Sequence, residues 1–68
     1  NLPQEAENKF KAQVLQTLAQ AEALSEEELF EGLQKPASAA HLKCLRKLVE
    51  EGKVVLGEGG KYKLNIDA

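Results

Sequence analysis

The sequence has no tryptophan and no methionine, and only one tyrosine, one histidine and one cysteine, Cys44. A lone cysteine excludes an internal disulfide. With a single histidine beside it, the chain cannot supply the roughly four ligands of a structural zinc site. Such cysteine usage fits a reducing compartment, so an intracellular setting, cytoplasmic or nuclear, is expected. No apolar run approaches the roughly 18 residues that span a bilayer, and no signal-peptide pattern is present, so no membrane partner is expected. Aromatic residues make up 4% of the chain, which leaves Leu, Val and Ala to build the core. The opening "NLPQEAEN" reads as the start of a fragment excised from a longer protein.

Sixty-eight residues, 43% hydrophobic and 29% charged, describe one small domain near the lower limit of what a hydrophobic core holds together. The domain is expected to cover residues 1–68, with its core within about 5–65. The net charge of −2 is unevenly spread. Residues 1–34 carry two lysines against seven glutamates, whereas residues 35–63 carry six lysines and Arg46 against three glutamates. Such asymmetry can mark a basic face on an acidic back, or simple scatter in a small chain.

Phe10, Val14, Leu18 and Ala21 recur at helical spacing with Leu15 alongside, which predicts a first helix over 5–22 with Pro3 at its first turn. "LSEEELF" predicts a second helix. Ser25 and Glu28 are spaced as a capping box, Leu24 and Leu29 as a hydrophobic staple, and Glu26 and Glu27 suit the positive end of the helix dipole. This helix should run from Glu26 to about Gln34, before Pro36. Ser38 caps a third helix from Ala39 to about Glu51, and Gly52 supplies the left-handed residue that ends it. At 100° per residue, Leu42, Leu45, Leu48 and Val49 fall on one side. Ala39, Ala40, Lys43, Lys47 and Glu50 fall on the other, with Arg46 at the margin.

Past Gly52 the period changes from 3.6 to 2. "KVVL" and "KYKLN" read as strands around "GEGG", a two-stranded hairpin with Tyr62 and Leu64 on one face and Lys61 and Lys63 on the other. Ile66 to Ala68 are expected to fray. The expected core is Phe10, Val14, Leu18, Leu29, Phe30, Leu33, Leu42, Leu45, Leu48 and Val49, joined by Val54 or Val55 and by Tyr62 or Leu64.

The fold class expected is therefore α+β: three helices followed by a two-stranded antiparallel hairpin. The element order and the ending "EGKVV–turn–KYKL" resemble the winged-helix superfamily, a helix-turn-helix with a β-wing, over about residues 5–65. It departs from that pattern before the second helix, where many winged helices have a strand and "AEALS" offers at most a single bridge at Leu24. The resemblance implies that the third helix enters a groove of nucleic acid, DNA or RNA, while the wing touches nearby phosphates. Carried over, it makes Lys43, Arg46 and Lys47 helix contacts, Lys61 and Lys63 wing contacts, and Ser38 a phosphate ligand, all flanking one surface. Ala39 and Ala40 carry no base-reading code, so the expected binding is phosphate-dominated and weakly selective. The alternative is a winged helix used for protein–protein contact in a replication, transcription or RNA-processing assembly, which the acidic first half favours.

No catalytic constellation stands out. His41 and Cys44 lie about 60° apart on one helix without an orienting third group, and read as packed structural residues. "GEGG" lacks the phosphate-loop pattern and leads into a strand, and Glu26–Glu28 are explained by capping. No enzyme activity, small-molecule substrate, metal or cofactor is expected.

Overall fold

The computed structural model describes residues 3–66, folded as a small α+β domain of three helices and a three-stranded antiparallel sheet. Helix α1 spans Gln4–Ala19 and buries Phe10, Val14 and Leu18. It stops short of the expected Glu22 because its last turn tightens. Gln20 and Ala21 donate to carbonyls three residues back, at Thr17 and Leu18, and the chain then turns toward the sheet.

Strand β1 is only Leu24–Ser25, and Ser25 leads straight into helix α2, Glu26–Leu33. The capping box is formed in both directions. The Glu28 amide donates to Ser25 Oγ at 3.2 Å, and the Ser25 amide donates to Glu28 Oε1 at 3.0 Å. Ser25→Ala should therefore cost about 1 kcal/mol in urea unfolding, with Ser25→Asp retaining most of the stability. Gln34 ends α2 in the left-handed conformation, φ 57°, and the Lys35 amide closes back on the Phe30 carbonyl.

Helix α3, Ala39–Glu50, is capped by Ser38 Oγ, which accepts the His41 amide at 3.3 Å. It ends as its sequence predicts. Gly52 sits at φ 79°, and the Lys53 and Gly52 amides return to the Leu48 and Val49 carbonyls. Strands β2 (Val54–Leu56) and β3 (Lys61–Leu64) follow, with a single 3-10 turn over Glu58–Gly60 between them. They pair Val54 with Leu64, Val55 with Lys63 and Leu56 with Tyr62. Asn65 anchors the end of the hairpin by donating from Nδ2 to the Gly52 carbonyl at 2.7 Å.

The expected two-stranded sheet is corrected to three strands in the order β1–β3–β2. Leu24 pairs with Tyr62 and Ser25 with Lys61. The cause lies in β3. An antiparallel partner satisfies every second residue of a strand, so Tyr62 turns its backbone groups away from β2 and needs an acceptor and donor on the other side. Leu24 provides them while its side chain packs on the core.

That core is Phe10, Val14, Leu18, Leu29, Phe30, Cys44, Leu45, Leu48 and Val54, with Leu33, Leu42, Val49, Tyr62 and Leu64 packed around it half-buried. Phe10 stacks on Phe30 with ring centres 6.0 Å apart and lies 4.8 Å from the His41 ring, so one aromatic cluster joins all three helices. Ile66, at the end of the described chain, is exposed; the fraying expected for 67–68 lies outside the described residues.

Candidate interaction surface

Helix α3 carries the residues on which a binding role would rest, and its packing decides where they point. The fully buried residues are Cys44, Leu45 and Leu48, so the inward face is rotated toward α1 from the stripe its leucines suggest. Leu42 and Val49 consequently lie only half-buried, on the side of the hairpin. Lys47 leans the other way, against α1. Its Nζ donates to Glu7 Oε1 at 3.1 Å, and Glu7 is nearly enclosed, with 15% of its side chain exposed. Lys11 ties the same helices together by bonding Glu51 at 3.1 Å.

This α1–α3 cluster sets its own electrostatics. The hydrogen bond from Lys47 holds the Glu7 carboxyl below its ordinary value of 4.5, with the charges of Lys47 and Lys11 adding to the effect. The same bond raises Lys47. Burial pushes the Cys44 thiol up, reinforced by the Glu7 charge whose Oε1 lies 3.8 Å from Sγ. Cys44 is thus a protonated, inert core residue at neutral pH. Glu28 is also lowered, by the Ser25 amide bond. A carboxyl lowered in the folded state stabilises it above the unfolded pKa, and that contribution is lost as pH falls through the folded value. The melting temperature should therefore drop as pH falls below about 5, and Glu7→Gln should make that drop shallower. An unchanged acid profile in Glu7→Gln would show that the Glu7–Lys47 bond is not maintained in solution.

The six residues expected to contact nucleic acid do not come together. Ser38 Oγ already lies 2.8 Å from His41 Nδ1 and accepts the His41 amide. Lys47 is engaged by Glu7. Strand alternation sends Lys61 and Lys63 to the sheet face opposite Tyr62, and Tyr62 is the one that meets α3. Lys63 instead lines a groove with Leu18, Ala21 and Ala23 at the far end of α1. Lys43 and Arg46 alone share an open strip of α3, with Ala39 and Leu42. Neither has an ion-pair partner among the described residues.

Between α3 and the hairpin runs a shallow groove lined by Glu26, Leu42, Arg46, Val49, Leu56 and Tyr62. Leu56 is 51% exposed, a large apolar side chain left open beside three half-buried ones. Glu26, which the sequence presents as a charge at the start of α2 in the acidic first half, stands in this groove with Arg46. Tyr62 is raised by burial and by the Glu26 charge, against the opposing pull of Arg46, so its phenol stays neutral. Capping explains Glu26 in sequence terms, but only the short β1–α2 junction brings it beside the hairpin. Among the described residues no cluster of three or more His, Cys, Asp or Glu could hold a metal. His41 turns to Phe10 and Phe30 while Cys44 turns to Glu7. No helix among the described residues is long and apolar enough to cross a membrane. The chain matches no known protein-family model, no curated protein and no solved structure.

Proposed function

We propose that this chain is a winged-helix module that works by contacting another protein, without catalysis of its own. The winged-helix reading is supported by the element order helix, strand, two helices, hairpin, and by the sheet order β1–β3–β2. The protein-contact reading rests chiefly on the groove between α3 and the hairpin, where Leu56 is half open to solvent beside Leu42, Val49 and Tyr62. Exposed apolar surface with a polar rim suits a protein partner.

Electrostatics favour the same choice. Phosphate binding grows with the number of cations that reach one backbone. Here two cations share the α3 strip, while Glu26 stands in the adjoining groove and Glu27 and Glu28 follow in the same helical turn. The second reading, weak nucleic-acid binding, is favoured by one observation: Lys43 and Arg46 are exposed and unpaired among the described residues.

A photo-crosslinking amino acid at position 56, compared with one at exposed position 16 on α1, separates the two in cells. The expected result is a protein adduct from position 56 that Arg46→Glu abolishes. A nuclease-sensitive adduct would establish the second reading. Equal labelling from both positions would overturn the groove as the contact surface.

A further inference from the structure

Part of α3 stays open to solvent, and its side chains are spaced like one half of a helix pair. Ala39, Leu42, Arg46 and Val49 recur at steps of three, four and three, so at 100° per residue they fall within about 80° of one another. Leu42 and Val49 mark the hairpin side of this stripe, and Lys43 stands just beyond its other side. Two depressions meet on the stripe. One, lined by Ala39, Leu42, Lys43 and Arg46, lies along α3; the other lies between α3 and the hairpin, where Leu56 is half exposed. Leu42 and Arg46 line both, so a single trough runs from the start of α3 to β2. From Ala39 to Val49, at a rise of about 1.5 Å per residue, it is about 15 Å long, which matches about three turns of a second helix.

The trough suits a helix rather than a strand. An added strand needs unpaired backbone groups along an edge, and Val54 of β2 is 1% exposed, so its backbone is covered. A helix satisfies its own backbone and presents only side chains, at the same spacing of three and four that the stripe carries. Ala39 is small and exposed, which lets a second helix approach α3 closely at that end. The charges select which helix. Lys43 and Arg46 are exposed, lie three residues apart and have no ion-pair partner among the described residues. Carboxylates three or four residues apart on a partner helix are complementary to that pair. Glu26, in the hairpin part of the trough, repels a carboxylate from its own side, so the acidic residues belong on one flank only. We propose that the partner enters as an acidic amphipathic helix laid along α3, with its apolar face over Leu42, Val49 and Leu56 and a row of carboxylates on Lys43 and Arg46.

The inference rests on the protein-contact reading and specifies the class of partner. The probe is the synthetic peptide acetyl-Glu-Ala-Ala-Leu-Ala-Gln-Leu-Glu-Ala-Gln-Leu-Glu-Ala-Leu-amide, added at up to millimolar concentration to the labelled chain and followed by NMR. As a helix it carries its leucines on one face and its glutamates on one flank. Shifts at Leu42, Arg46, Val49 and Leu56 are expected, with contacts between successive peptide amides that report a helix forming on binding. The same peptide with lysine in place of every glutamate keeps the apolar face. It should bind about tenfold more weakly or worse, since charge-assisted contacts become repulsions. Two variants give the counter-test. Lys43→Glu combined with Arg46→Glu, both at exposed sites, should leave the amide pattern of the fold in place and reverse the preference toward the lysine peptide. Leu56→Ala should weaken both peptides alike, because it removes apolar contact and no charge.

Equal affinity for the two peptides, or a preference that the double variant leaves unchanged, would overturn the selection of an acidic partner. Binding at the trough without helix formation would overturn the helical mode. The same shifts appearing with protein concentration alone would assign the trough to a second copy of the chain and overturn the acidic helix as its occupant. Absence of binding by the glutamate peptide would also overturn the proposal. If that happens while position 56 still crosslinks a protein in cells, only the class of partner is wrong. If both fail, the protein-contact reading falls with it.

Discussion

Replacing Leu45 by alanine should remove a large part of the domain's stability at 25 °C, about 2–5 kcal/mol. Leu45 is 1% exposed and sits mid-way along α3, between residues that pack on α1 and residues that pack on the hairpin. Removing its branched end loses the transfer energy and leaves a cavity, together about 2–5 kcal/mol. The surroundings have little freedom to collapse into the gap. Helix α3 is tied to α1 by Lys47–Glu7 and Lys11–Glu51, and at its end by the Gly52 turn and Asn65. At about 0.05–0.15 kcal/mol per residue, a domain of this size is held by only about 3–10 kcal/mol. Urea unfolding followed by circular dichroism measures the loss, with Leu56→Ala as the control. Leu56 is half exposed, so its truncation should cost about 1 kcal/mol or less. A loss below about 1 kcal/mol for Leu45→Ala would mean that α3 faces elsewhere.

Phe10→Ala should be at least as severe, for a different reason. Phe10 is 1% exposed and is the point where the three helices meet: it stacks on Phe30 of α2 at an interplanar angle of 21° and tilts against His41 of α3. Truncating a buried phenylalanine costs about 3–5 kcal/mol, and its ring pairs contribute roughly 0.5–1.5 kcal/mol beyond the buried area. The substitution also uncovers His41, whose imidazole is held by Ser38 on one side and by the two phenylalanine rings on the other. Phe10→Leu keeps most of the volume and should recover more than half of the lost stability in the same urea series. If Leu and Ala at position 10 are equally damaging, the aromatic contacts rather than the filled volume hold the helices together.

Much of this architecture is legible in the chain. The stripe Phe10, Val14, Leu18 announces α1, and all three are buried. Ser25 and Glu28 announce the start of α2, and both capping bonds form. Gly52 marks the end of α3, and the alternation of Tyr62 and Leu64 with Lys61 and Lys63 marks a strand half-buried on one face. These signals are local. Each reflects a spacing or a cap that nearby residues satisfy among themselves, so no distant part of the chain is needed to read them.

The open residues behave otherwise. On a helical wheel Lys47 falls on the outer face and Arg46 at its margin, yet Lys47 is the one tied to Glu7 forty positions away and Arg46 has no ion-pair partner among the described residues. Cys44 gives no sign that it is more deeply buried than Leu42; the angle at which α3 leans on α1 decides it. A strand of two residues has no periodicity to detect, so the sequence offered at most a bridge at Leu24, and the pairing of Leu24 with Tyr62 and of Ser25 with Lys61 makes it the third strand. Glu26 entered the groove by the same route, carried there by the Ser25 junction. By itself the sequence determined the three helices, their caps, the hairpin and most of the core, because period and capping are set within a turn or a strand. Only the tertiary structure decided which charges remain open and which side of α3 meets the hairpin, because those depend on contacts between residues tens of positions apart.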